Sequence, residues 1–246
     1  MSYLTALQSA PALETIYRHR SIRKYEKTPV EAPVLEAILE AGRAASSSSF
    51  MQCVHIIRVT DSTLREALCE VAAGQRYVVE APEFLVFCVD YHKHHQLVPD
   101  AQTDWTETLI IGATDAGIMA QNCLLAAESL GLGGVYIGSL RNDIARVAEL
   151  LALPRHTLPL FGLCLGYTAE EPLYRPRLPL AISMSENRYT PADSATLAAY
   201  NDSVRDYYQQ RGDKVLDWQQ AVNNTLGKPV RPHMLPFLQA QGFCKR

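Results

Sequence analysis

A chain of 246 residues, 48% hydrophobic and 20% charged, carries 23 Lys and Arg against 26 Asp and Glu, a formal net charge of -3. That balance excludes a disordered chain, since enough apolar surface exists to bury a core. It also excludes the global positive field of a nucleic-acid binder, so partners must be recognised locally. The start, MSYLTALQSAPALETIYRHR, lacks a basic opening and a sustained apolar run, so no secretory signal is expected. Six cysteines without a C-x-x-C pair read as reduced, mostly buried thiols in a cytoplasmic protein.

In chain order, a first helix is expected over 11–20, ending in the basic run RHRSIRK at 18–24. The two prolines of TPVEAP make a turn, and VLEAILEAGRAA then places Val34, Leu35, Ile38 and Leu39 on one helical face. SSSSF at 46–50 ends that helix, because serine hydroxyls compete for the backbone. A strand at 54–59 precedes a helix over 62–73, with Thr63 and Glu66 as a capping box and Gly74 as its stop. FLVFCVD at 84–90 reads as a strand covered on both faces. HKHHQLVPDAQTD is expected as a polar connection, without the ligand pattern of a metal site.

The long apolar stretch 108–131 is interrupted by Asp115, Gln121, Asn122 and Glu128, which favours a buried helix from about 104 to 130 over a membrane span. Strands at 133–140 and 158–167 enclose a helix capped by Asn142. Residues 168–192 read as a long loop, Ser194 starts a helix that ends near Gly212, and weaker helices follow near 214–226 and at the end. The expected core of 1–192 mixes helices with about four strands, and the helical arm of 193–246 lacks a core of its own and must wrap something, for which another subunit is one candidate.

RHRSIRK has two readings. It is either a helix end whose cations meet the last carbonyls, or an anion site of guanidinium forks and a hydroxyl. SSSSF is either a linker or a polar lip over a flat ligand, with Phe50 free to stack. Arg175 and Arg177 flank Pro176 and face the same side of an extended chain, as loop cations or as a second anion site. GLGGVYIGS at 131–139 runs helix, glycines, strand, the reverse of a dinucleotide fingerprint, although its glycines permit close backbone approach to a ligand. No nucleophile motif or Walker loop is present, which points to chemistry borrowed from a cofactor.

HRSIRKY, RAASSSSFMQC, AAGQRYV, AAESLGLGGVYIG, LPLFGLCLGY, RPRLP and YYQQRG, in this order, resemble the oxygen-insensitive NADPH nitroreductases of class A and the related NADPH-dependent flavin reductases. The resemblance runs from about residue 15 to the C-terminus, tight to Gly212 and looser over 213–230. It implies an α+β fold, a central mixed, mainly antiparallel sheet flanked by helices, in an interlocked homodimer with exchanged C-terminal arms. By position it puts FMN against His19, Arg20, Ser21 and Arg23, with Arg175 and Arg177 on the phosphate. Ser47, Ser48 and Ser49 fall near the flavin, Gln75 at its pyrimidine edge, and Tyr136, Ile137, Gly138 and Ser139 along the ring.

Arg211 and Arg231 are the expected NADPH contacts, and Ser49 and Phe50 face the substrate. The family often has Lys at the position of Arg175 and a second Gly at that of Ser139. The implied activity is two-electron, ping-pong reduction of nitroaromatics, quinones and free flavins, with Arg23 as electrostatic support and no side-chain nucleophile. The alternatives are a dedicated flavin reductase supplying reduced flavin, and a non-catalytic sensor of a phosphorylated ligand. Neither nucleic acid nor membrane is an expected partner.

Overall fold

The computed structural model describes residues 10–212 and 215–246. They fall into two compact units, one running to Glu171 and including His233–Arg246, the other Pro172–Pro232. The helix start expected near 214 and the first nine residues of the expected core lie outside the described residues.

The first unit holds α1 (Pro11–Arg18), α2 (Ala32–Arg43), β1 (Val54–Arg58), α3 (Ser62–Val71), α4 (Tyr77–Glu80), β2 (Glu83–Asp90) and α5 (His92–Leu97). It continues with α6 (Thr106–Ser129), β3 (Leu132–Ile137), a 3-10 segment Gly138–Asp143, α7 (Ile144–Leu150) and β4 (Thr157–Tyr167). Among the described residues the sheet has four strands in the order β1-β2-β4-β3, with every neighbouring pair antiparallel.

Strand β2 is buried at all eight positions: Phe84–Val89 form an unbroken apolar run, and Glu83 at its start pairs with Arg58 at 2.6 Å. Its alternation divides the core. Phe84, Val86 and Cys88 pack with Leu68 and Cys69 of α3 and Val147 of α7. Leu85 and Phe87 pack with Ile38 of α2 and Ala120, Cys123 and Leu124 of α6. The sheet is therefore a middle layer between two helical layers, an α+β fold as expected.

Helix α6 has the length and hydropathy of a membrane span. One face, including Ala116, Ala120, Cys123 and Ala127, is buried, while Ile110 and Ile118 on the other are 54% and 42% exposed. All six cysteines are free thiols and five are buried. Burial pushes Cys123 up to about 11 and Cys88 up to about 12.

Two helix starts are capped by a residue other than the expected one, and a third begins where expected, all three for one reason. Asp61, not Thr63, caps α3 by accepting from Leu64 N at 2.7 Å. Asp143, not Asn142, accepts from Arg146 N at 3.0 Å. In the second unit the helix begins at Ser194 as expected, and Asp193 ahead of it accepts from Thr196 N at 2.8 Å. In each case a carboxylate meets the positive helix end better than a neutral side chain does. The polar stretch after β2 is likewise not all connection. Asp90 Oδ1 accepts from His92 N at 2.9 Å and starts the short α5. Helix α4 has no counterpart in the sequence reading.

α11 (Met234–Gln241) and the last residues return to the first unit, where His156 N donates to Gln241 O at 3.0 Å. The second unit contains α8 (Leu180–Ser183), a single turn within the expected loop, then α9 (Ser194–Arg211) and α10 (Trp218–Leu226). Gly212, at φ 79°, ends α9 in the left-handed conformation that glycine allows. Asp217 and Gln220 form a capping box on α10. Tyr200 meets Trp218 edge-on at 5.3 Å, and Asn201 Oδ1 accepts from Gln219 N at 2.8 Å, which joins α9 to α10.

Candidate functional site

The basic run leaves α1 and lies along β3. Ser21 forms a parallel bridge with Gly134, and Ile22 N donates to Gly134 O at 3.0 Å. This approach needs a bare backbone. A Cβ on Gly133 would sit 2.5 Å from Ile22 Cγ1. Tyr25 Oη closes the run by donating to Ile22 O at 2.7 Å. Glu170 Oε1 accepts from Arg23 N at 2.6 Å and from Lys24 N at 3.1 Å.

Two cations of this run meet the end of α1, the first of the two roles the sequence left open. Arg18 pairs with Glu14 one turn back, and Arg20 Nη1 donates to His19 O at 2.8 Å and Arg18 O at 3.2 Å, which serves the end of α1. His19 Nδ1 lies 2.5 Å from Glu128 Oε1 of α6, so a carboxylate fixes its ring. Arg23 Nη1 donates to Ser21 O at 3.3 Å. Burial raises the Tyr77 phenol above its usual range, and the adjacent Arg23 guanidinium pulls it back.

Two further predicted residues meet directly. Ala73 and Gly74, at φ 60° and 72°, turn the chain after α3 and present Gln75, whose Oε1 accepts from Ser139 Oγ at 2.8 Å. Tyr136 sets its ring edge-on to Phe161 at 5.5 Å at the end of β3, and Ile137 beside it is buried. Gly138 opens the 3-10 segment next to the Arg141 guanidinium.

The serine run is held from α6. Asp115, 4% exposed, accepts from Ser47 Oγ at 2.8 Å and from Ser48 N at 3.2 Å. Beyond this anchor Ser49 and Phe50 have φ of 47° and 56°, and Phe50 is 80% exposed.

Within the second unit Arg175 and Arg177 line one groove of about 500 Å³ with Pro176, Tyr200, Trp218 and Val222. Arg175 Nη2 donates to Tyr208 Oη at 2.5 Å, and Arg177 Nη1 donates to Arg175 O at 2.9 Å. Arg211 is the exposed last residue of α9, and Arg231 adopts φ 47°.

Asp115, Glu128, Tyr77 and Glu170 had no role in the sequence reading. Asp115 and Glu128 were visible only as carboxylates interrupting an apolar helix. A carboxylate so placed needs a partner, and that was the available signal. The donor set fits FMN. Guanidinium, imidazole and hydroxyl groups suit a phosphate, and the Gln75 amide, its oxygen engaged by Ser139, has an NH2 group of the kind that suits a ring carbonyl.

Residues 16–167 match the model of the nitroreductase family, and 175–246 match that family's C-terminal domain. An NADPH-flavin oxidoreductase of Vibrio harveyi is 49% identical over 95% of this chain and 98% of its own length. An oxygen-insensitive NADPH nitroreductase of Salmonella typhimurium is 48% identical over 96% of this chain and 100% of its own. Among solved structures, nitroreductase A from Vibrio parahaemolyticus superposes with a TM-score of 0.93 at 48% identity, covering 96% of this chain and 99% of that one.

Proposed function

The chain belongs to the nitroreductase family and is an NADPH-dependent oxidoreductase of the flavin type; from that premise we propose that it binds FMN, acts as a homodimer and reduces flat electron-poor acceptors such as nitroaromatics, quinones and free flavins. The observation that carries this reading is the seating of a cation-rich, hydroxyl-bearing segment on a glycine strand by the Ser21–Gly134 bridge.

When bound, FMN supplies hydride exchange with NADPH and two-electron delivery to the acceptor. The chain's own groups bind and orient. His19, Arg20 and Ser21 serve the flavin from the basic run, His19 with its ring already set by Glu128. Arg23 places a positive charge where reduction makes the ring edge electron-rich. Gln75 meets the pyrimidine edge, and Tyr136, Ile137, Gly138 and Ser139 lie along the ring. Ser47, Ser48 and Ser49 complete that side, with Ser49 and Phe50 toward the acceptor.

Arg175 and Arg177 serve the phosphate, as two cations on one groove can. Arg211 and Arg231 take the 2′-phosphate of NADPH. No side chain is required as nucleophile, so the contribution is orientation and electrostatics.

Pairing of two copies is supported by the outward stripe of α6. Ile110, Ala113, Thr114, Gly117, Ile118 and Gln121 are all exposed at helical spacing and all uncharged. Buried, unpaired thiols support a reducing, cytoplasmic setting. The purified protein should be yellow, release FMN on denaturation and oxidise NADPH in the presence of nitrofurazone or a quinone. A colourless protein that rejects added FMN would refute the reading. The name of the Vibrio harveyi relative favours a second reading, a dedicated flavin reductase. A kcat/KM for free FMN far above that for nitrofurazone and quinone would select it.

A further inference from the structure

The acceptor lip has a distinctive construction. Ser49, Phe50 and Gln52 all adopt left-handed backbone, with φ of 47°, 56° and 51°, although none is glycine. Such a run persists only where surrounding bonds over-determine it. Those bonds converge on one group. Asp115 is buried in the middle of α6, 4% exposed, beside the apolar cluster that contains Cys53 and Ala116. Its Oδ2 accepts from Ser47 Oγ at 2.8 Å and from the Cys53 thiol at 3.8 Å, and both its oxygens lie 3.2 Å from Ser48 N. Ser47 Oγ in turn accepts from Gln52 N at 2.7 Å. One carboxylate thus holds the start of the lip directly and its end through Ser47, while Phe50 projects at 80% exposure.

We infer that Asp115 is the positioning residue of the acceptor side: its buried carboxylate, through Ser47 and Ser48, fixes the left-handed lip that presents Phe50 to a flat aromatic acceptor. The inference rests on the proposed flavin chemistry, because it needs an acceptor to position. Asparagine cannot replace the carboxylate. The site asks for an acceptor toward Ser47, Ser48 and Cys53 together. Both carboxylate oxygens lie 3.2 Å from Ser48 N, so an amide NH2 in either position would set a donor against that N–H.

The test compares the wild-type holoenzyme with Asp115→Asn. Chymotrypsin cleavage after Phe50, followed by mass spectrometry, should be about tenfold faster in the variant, as for loss of one charge-assisted hydrogen bond. Cleavage elsewhere should stay within about twofold, which separates a released lip from general loosening. Stopped-flow reoxidation by a nitroaromatic should slow about tenfold while reduction by NADPH stays within about twofold. Ser47→Ala, a milder change outside the core, should shift both readouts the same way by less. The double variant should be no worse than Asp115→Asn alone.

Equal acceleration at every cleavage site, or equal slowing of both half-reactions, would make Asp115 merely structural and overturn the inference. A released lip with unchanged acceptor kinetics would overturn it too, while an active wild type kept the functional reading intact. A wild type without FMN or NADPH oxidation would remove that reading first, and the acceptor role with it.

Discussion

Replacing Gly133 by alanine puts a methyl group where Ile22 already lies. The added Cβ would stand 2.5 Å from Ile22 Cγ1 and 3.1 Å from its Cβ, against an ordinary contact of 3.4–4 Å. Backbone on both sides is committed, β3 to its ladder with β4 and Ile22 N to Gly134 O at 3.0 Å. The conflict is resolved either by strain, costing about 1–3 kcal/mol, or by the basic segment lifting off the strand. If lifting absorbs about 1.4 kcal/mol, FMN affinity falls about tenfold. Urea midpoints of the apoprotein measure the first outcome. Titration of FMN fluorescence against the folded variant measures the second. A Gly133→Ala protein unchanged in both stability and FMN affinity would refute the claim that this glycine seats the basic segment.

Arg211→Ala should raise the KM for NADPH about tenfold and leave NADH turnover within about twofold; steady-state kinetics with both coenzymes decide, and an equal loss with each removes the 2′-phosphate assignment. Stability should also depend on pH through His156. Burial first, then His95 stacked at 3.9 Å, Arg155, His92 and Lys245, push its imidazole from 6.5 down to about 4. The folded state favours the neutral ring, so this contribution is complete above pH 6.5 and is lost as pH falls toward 4. Allowing for solvent screening, the loss from pH 7 to 5 is about 1 kcal/mol. It is read as a Tm decrease that His156→Gln should abolish, and the same pH slope in that variant would refute the assignment.

The layered core was legible because FLVFCV, 84–89, is apolar without interruption, and a strand covered on both faces suits that composition. The helix starts were less legible. Thr63 and Asn142 are sound caps by residue type, but Asp61 and Asp143 stood within two positions of each and offered a charge. Residue preference cannot rank neighbours whose difference is electrostatic. At the candidate site the cations were visible in RHRSIRK, yet the work of each was not. Arg18 pairs with Glu14, Arg20 donates to the main chain at the helix end, and His19 is set by Glu128, 109 residues away in sequence. Asp115 illustrates the same limit. A lone carboxylate in an apolar helix announces an unmet bond without saying which loop supplies its partner.

The place where the basic run lies has a second consequence. β3 is a terminal strand of the sheet, and a terminal strand with bare main-chain groups invites a foreign strand. Residues 21 and 22 occupy part of that margin. The stretch proposed to hold the flavin is therefore also a guard against self-association, so damage that strips it away exposes a sticky rim.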